Sequence, residues 1–207
     1  MPRKKCASQG RCRYTAPVTA PPLLHQVSLD ANWLQVPQQQ LRGLPGHVRS
    51  YLLDEQSLTE RLIEASGGNF RVERLRQGWQ KPLLSERQIL SIPDGQWALV
   101  REVALHCHDE PWVYARSVIP AATLKGKLRR LRHLQNQSLG AMLFKQPGLR
   151  RRQFELSLLP ANSSFIHPDL RQATPAWARR SCFELAGDEL LVCEVFLERF
   201  QAPGQAA

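Results

Sequence analysis

Apolar and polar residues alternate along several stretches of this chain, with the period of two that is typical of strands half-buried in a sheet. Turn residues at 108–111 and 187–188 separate two pairs of these stretches, and each pair is therefore predicted to form a hairpin. Hairpins imply antiparallel pairing. The predicted strands are residues 70–76, 97–107, 112–119, 154–158, 181–186 and 190–200.

Three other stretches have helical spacing. Ser57-Leu58-Thr59-Glu60 is a capping box, and it begins a predicted helix that ends at Gly67-Gly68. A second helix is predicted across residues 121–134, where the leucines share one side, and a short third one follows Ser138. Helices grouped apart from hairpin strands predict an α+β fold, in which an antiparallel sheet packs against helices.

The chain has 207 residues, a length that suits one domain with a substantial core. We predict a domain over residues 28–200, preceded by a flexible basic tail at 1–27 and followed by a C-terminal tail at 201–207. No apolar run approaches the roughly 20 residues of a membrane-spanning helix, and no apolar stretch of a signal peptide follows the basic start. We therefore expect a cytoplasmic protein without membrane insertion.

The formal net charge of +10 suits nucleic acid, a membrane surface or small anions as partners. The basic runs at residues 125–132 and 150–152 contain no aromatic residues that could stack on bases, and they are typical of solvated faces. About 28 residues before the domain are too few for a helix-turn-helix. No nucleic-acid partner is expected.

The sequence offers little support for a metal or a cofactor. The five cysteines show no CxxC spacing and are interpreted as reduced thiols. His106 and His108 share a strand face, but no further His or Cys cluster completes a metal site. No glycine-rich phosphate motif is present. We expect neither a metal nor a cofactor.

Charged residues on apolar strand faces are the candidate functional groups. Arg101 shares its face with Leu99 and Val103, and Glu194 lies between Val192 and Phe196 on its own face. A buried charge is costly unless it is paired or binds a ligand. Three explanations stay open: the two residues pair with each other, their strands are covered on both sides, or they line a pocket. In a pocket the arginine would grip a carboxylate and the glutamate would accept a hydroxyl.

Arg116 also lies in the middle of a predicted strand, and it shares a face with Trp112, Tyr114 and Val118. Two arginines on neighbouring hairpin strands suit a ligand with two carboxylates. The pattern by itself therefore predicts a pocket for a dianion.

These segments resemble the chorismate pyruvate-lyase family, in order and spacing, from about residue 28 to residue 200. The matching stretches are EQSLTER (55–61), WALVREV (97–103), EPWVYARSVIP (110–120), SLGAMLF (138–144), RRS (179–181) and LLVCEVFL (190–197). The chain departs from the family's pattern in having leucine at 58 where methionine is frequent, and alanine at 178 where glycine is common. The basic tail is outside the resemblance.

The resemblance implies a small buried ligand cavity and the conversion of chorismate to 4-hydroxybenzoate and pyruvate, towards ubiquinone, by a monomer without a cofactor. It assigns the ring carboxylate to Arg101, the phenolic hydroxyl to Glu194, and main-chain contacts to Leu58 and Leu139. It assigns the pyruvyl carboxylate to Arg116. Glu194 is also a candidate for accepting the ring proton.

A related sheet architecture serves as the effector-binding module of bacterial transcription regulators. The alternative function is therefore a sensor that binds a small anion without converting it. Such a protein would bind the anion and release it unchanged, whereas a lyase would release pyruvate.

Overall fold

The computed structural model describes residues 30–35, 44–152 and 154–201, and of residues 126 and 127 it describes the backbone alone. The predicted tail at 1–27 lies outside the described residues, as does the predicted C-terminal tail except for residue 201. No helix within the described ranges is long and apolar enough to cross a membrane.

An antiparallel sheet forms the centre of the described structure, and this confirms the α+β prediction. Its strand order is β1-β2-β3-β7-β6-β4, with β5 pairing along the same edge of β6 as β4. The strands are β1 (Phe70–Gln80), β2 (Ala98–Cys107), β3 (Glu110–Pro120), β4 (Arg150–Arg151), β5 (Glu155–Leu159), β6 (Ala176–Leu185) and β7 (Asp188–Phe196). The helices are α1 (Gly46–Leu52), α2 (Leu58–Ala65), α3 (Leu84–Ile89) and α4 (Leu139–Phe144), with 3-10 helices at Gly126–His133 and Pro168–Leu170.

Both faces of the central strands are covered, so that β2 is buried along its whole length. On one face, apolar residues of α1, α2, α4 and the longer 3-10 helix pack against the sheet. On the other face, residues that follow α3 and the loop around Phe165 and Ile166 form a separate core cluster. Side chains that alternate along β2 or β3 therefore enter two different interiors.

Helix α2 begins where the capping box predicts, since the Ser57 hydroxyl accepts a hydrogen bond from the Glu60 amide. The predicted helix at 121–134 is the 3-10 helix Gly126–His133, with Leu128 and Leu131 buried. The sequence pattern does not predict α1 and α3. These helices have seven and six residues, too few to establish a helical period.

The β2–β3 hairpin turns through His108 and Asp109, which both have positive φ angles of 50° and 64°. Two such residues form the type of tight turn whose twist matches that of the flanking strands. The pairing does not continue regularly from this turn. An irregularity between Leu105 and His106 shifts the register by one residue, so that Arg101 lies opposite Ser117 and Glu102 lies opposite Arg116.

Candidate active site

One row of cross-strand neighbours brings the candidate residues to the same face of the sheet. Val103 lies opposite Ala115, Ala115 opposite Glu194, and Glu194 opposite Arg179. Arg101 is two residues before Val103 on β2, and it therefore projects from that face as well. A cavity lies between this face and helices α2 and α4, and Arg101, Glu194, Leu58 and Leu139 all line it.

Leu58 and Leu139 are the first residues of α2 and α4. The serine before each of them caps its helix, because its hydroxyl accepts a hydrogen bond from the amide three residues later. The first amide groups of a helix have no partner within the helix. These two leucines therefore bring main-chain N–H groups to the cavity, and such groups can donate to a ligand oxygen.

Arg101 is a buried cation with an unused donor. Its side chain is 1% exposed, and Nη2 donates to the main-chain oxygens of Gln135 and Gln137 at 2.9 and 2.7 Å. Its Nε has no hydrogen-bond partner among the described residues. Burial lowers the pKa of Arg101 to about 10, and Arg74 adds to this effect. A carboxylate in the cavity would supply both the missing acceptor and the missing negative charge.

Glu194 pairs with Arg179 instead of Arg101. Oε2 of Glu194 accepts a hydrogen bond from Nε of Arg179 at 2.5 Å, and Arg179 is fully buried. No ion pair joins Glu194 to Arg101 in the described part of the chain. Of the explanations that the sequence left open for these two residues, the structure therefore supports the pocket.

Arg151 is a third guanidinium in the cavity wall. Its Nε donates to the Ser181 hydroxyl at 2.9 Å, and its Nη1 donates to the Asp54 main-chain oxygen at 3.1 Å. Burial lowers the pKa of Arg151 to about 10, and repulsion from Arg179 contributes. The walls thus carry three guanidinium groups and one carboxylate. This excess of two positive charges is suited to a dianion.

The cavity is small in this structure. Its free volume is about 30 Å³, which is room for roughly two water molecules. A hydrogen bond of 2.6 Å between the hydroxyls of Thr59 and Ser138 joins α2 to α4 above it. A ligand the size of a benzoate ring therefore requires these helices and the side chains beneath them to move apart.

Arg116 does not join the other candidate residues, and this placement corrects the expectation that it serves a second carboxylate in the same pocket. Its guanidinium lies on the opposite face of the sheet, where Nε donates to Glu86 and Nη1 donates to Glu102, both at 2.6 Å. The cause is the register shift in the β2–β3 hairpin. Without it Arg116 would be the direct partner of Arg101, and a shift of one residue exchanges the two faces.

Arg116 borders a separate cleft of about 370 Å³. Burial alone would lower the pKa of Arg116, but the hydrogen bonds and the charge of Glu86, together with the charge of Glu102, raise it above its ordinary value. Because two carboxylates already satisfy this guanidinium, it has little affinity left for an added anion. The smaller cavity beside Arg101 is the better candidate for anion chemistry.

The described cysteines Cys107, Cys182 and Cys193 are free and buried. Burial raises the pKa of Cys107 to about 11 and also raises those of the other two. Such thiols are poor nucleophiles at neutral pH. No group of three His, Cys, Asp or Glu side chains within the described ranges could hold a metal ion.

The sequence pattern misses Arg179 and Arg151 as pocket residues. Arg179 shares its face of β6 with Ser181 and Phe183, and the argument from charge on an apolar face would have selected it. The predicted strand began at Ser181, whereas β6 begins at Ala176. Arg151 has no comparable signal, since it lies in a run of three arginines that is typical of a solvated surface.

The chain belongs to the chorismate lyase family, because the model of that family matches residues 28–202. A protein of Methylococcus capsulatus named "Probable chorismate pyruvate-lyase" is 44% identical over 154 residues, which are 72% of this chain and 94% of that protein. A protein of Pseudomonas aeruginosa with the same name is 41% identical over 170 residues, which are 82% of this chain and 93% of that protein.

The fold is shared with proteins of little sequence similarity. The crystal structure of the C-terminal domain of PhnF matches with a TM-score of 0.51 at 16% identity, over 70% of this chain and 90% of that domain. At this identity the match concerns the fold alone.

Proposed function

We propose that this protein is a chorismate pyruvate-lyase that releases pyruvate from chorismate and forms 4-hydroxybenzoate. The observation that carries the proposal is a buried cavity in which Arg101 and Glu194 face each other across β3, with two further guanidinium groups in its walls. Chorismate is a dianion, and the cavity has an excess of two positive charges. The family resemblance alone supports a cytoplasmic monomer and a place at the first committed step towards ubiquinone.

Arg101 and Glu194 are set apart in a way that suits a ring with para substituents. They are two strands apart laterally and two residues apart along the strands, which corresponds to roughly 12 Å between their Cα atoms. In the proposed complex Arg101 Nε and the amides of Leu58 and Leu139 receive the ring carboxylate. Glu194 receives the hydroxyl at the other end, and Val103 and Leu105 contact the ring between them.

The proposed reaction is an elimination across two neighbouring ring carbons. The bond between the ring and the ether oxygen breaks, and the oxygen leaves as enolpyruvate. The neighbouring carbon, which carries the hydroxyl, loses its proton, and the electron pair of that C–H bond completes the aromatic ring. Enolpyruvate then takes up a proton on carbon and becomes pyruvate. Because aromatisation drives the reaction, the residues of the cavity have to orient the dianion and stabilise the charge on the departing oxygen.

Glu194→Gln separates two roles of this side chain. The glutamine keeps the shape and can still contact the ring hydroxyl, but it cannot accept a proton. If Glu194 accepts the ring proton, we expect kcat to fall by about 10²-fold or more while 4-hydroxybenzoate binding changes much less. Steady-state kinetics and calorimetric titration with 4-hydroxybenzoate measure the two quantities. Unchanged turnover would eliminate the role as a base and leave the positioning role.

Ser138→Ala tests whether the contact between α2 and α4 retains the product. The change removes the cap of α4 and the hydrogen bond to Thr59, and losing a cap costs about 1 kcal/mol. We expect 4-hydroxybenzoate to dissociate about fivefold faster, as measured by stopped-flow displacement. Thr59→Val is the matched control, because it removes the same bond and leaves the cap. Unchanged dissociation in both variants would show that the bond does not retain the product.

The assay for the proposed function follows pyruvate and 4-hydroxybenzoate together during incubation of the purified protein with chorismate in EDTA. Equimolar appearance of both compounds above the uncatalysed rate is the expected result, and it would also show that no added metal is needed. If chorismate binds and neither product appears, the protein is instead a sensor of small anions.

A further inference from the structure

The substrate carries a second carboxylate for which the structure must provide a partner, if the proposed function holds. In chorismate the enolpyruvyl ether is attached to the ring carbon next to the one that carries the hydroxyl. When Glu194 receives the hydroxyl, the second carboxylate must therefore lie beside Glu194. Arg101 is at the opposite end of the ring, and Arg116 is on the opposite face of the sheet. The partner has to be another cation close to Glu194.

Arg179 fulfils this requirement. Its Nε contacts Glu194, and its Nη1 donates to the main-chain oxygens of Tyr51 and Asp54, which fix the orientation of the guanidinium plane. Its Nη2 is buried and has no hydrogen-bond partner among the residues that the structure describes. Buried donors of a charged group are rarely left without an acceptor. Since Arg179 lines the cavity, a ligand oxygen can be the acceptor.

Arg151 stands on the other side of the same carboxylate, with its Nη2 at 3.9 Å from Oε2 of Glu194. Glu194 is thus flanked by two guanidinium groups, and its single charge does not balance them. A second carboxylate beside Glu194 would restore the balance. It would leave again with pyruvate, so that the product keeps only the partners at its ring carboxylate and hydroxyl.

We propose that Arg179, assisted by Arg151, binds the enolpyruvyl carboxylate of chorismate and thereby distinguishes the substrate from the product. Arg101 holds a group that substrate and product share, whereas Arg179 holds one that the substrate alone has. In the elimination the same guanidinium lies beside the departing enolpyruvate, where negative charge develops on the ether oxygen. This inference rests on the proposed function.

The test compares KM for chorismate with the inhibition constant of 4-hydroxybenzoate in the same assay, for the wild type and for Arg179→Gln. We expect KM to rise by tenfold or more beyond any change in the inhibition constant. If Arg179 only positioned Glu194, both constants would change by the same factor, because both ligands use Glu194. Equal changes would therefore overturn the inference.

Arg151→Gln keeps the test available if Arg179→Gln does not fold, because the Arg151 side chain is partly exposed and lies at the edge of the cavity. It should show the same preferential loss of chorismate to a smaller extent, and equal changes again count against the inference. Arg152→Gln is the matched control, since its side chain is 53% exposed and does not line the cavity. Wild-type turnover separates the two claims. Without it the proposed function fails, and with it equal changes overturn the role of Arg179 alone.

Discussion

Arg101→Met is expected to lower kcat/KM for chorismate by about 10²–10³-fold and to weaken 4-hydroxybenzoate binding in parallel. The variant removes a buried cation whose free Nε faces the cavity, and losing one partner of a buried charge pair costs about 2–5 kcal/mol. Kinetics with chorismate and calorimetric titration with the product measure both effects. Near-normal constants would mean that the ring carboxylate binds elsewhere.

The same substitution should leave the fold largely intact. In the free protein Arg101 lacks a carboxylate partner, and burial already lowers its pKa. Methionine loses the two hydrogen bonds to Gln135 and Gln137, but it also removes a desolvated charge from the interior. We expect a small change in melting temperature, so that the loss of activity reflects the site.

Arg116→Met is expected to have the opposite effect. The variant leaves Glu86 and Glu102 buried and without their shared cation, and breaking a buried pair in this way costs about 3–5 kcal/mol. The melting temperature should fall by roughly 10 °C, measured by calorimetry. At a temperature where the variant is folded, its kcat/KM for chorismate should stay near that of the wild type, because Arg116 does not line the active-site cavity.

The control for Arg116→Met is the triple variant that also carries Glu86→Gln and Glu102→Gln. Removing both negative charges together with the cation leaves no unpaired charge, so a large part of the lost stability should return. A stable Arg116→Met protein with greatly reduced turnover would show that Arg116 acts on the substrate after all.

The two arginines also show what the sequence could predict. Alternation along β2 correctly places Arg101 between apolar neighbours on one face, because this depends on a period within a single strand. Whether Arg116 shares that face depends on the register between two strands. The irregularity at Leu105 and His106 changes the register by one residue and reverses the face, and no residue pattern in the hairpin indicates it.

The remaining cavity residues depend on distant contacts in a similar way. Leu58 and Leu139 could be placed at helix starts from their capping serines, but their approach to the same cavity results from packing of α2 and α4 on the sheet. Arg179 was missed because β6 begins five residues before the predicted strand. The fold class and one wall of the site were therefore predictable, whereas the set of charges around Glu194 was not.

A crystal structure of the protein with 4-hydroxybenzoate tests the central claim most directly. We expect the ring in the cavity between the sheet and helices α2 and α4, with its carboxylate on Arg101 Nε and its hydroxyl on Glu194. The two helices should be further apart than in the free protein, since the cavity now holds about 30 Å³. Product bound in the cleft beside Arg116, or with its carboxylate away from Arg101, would contradict the account.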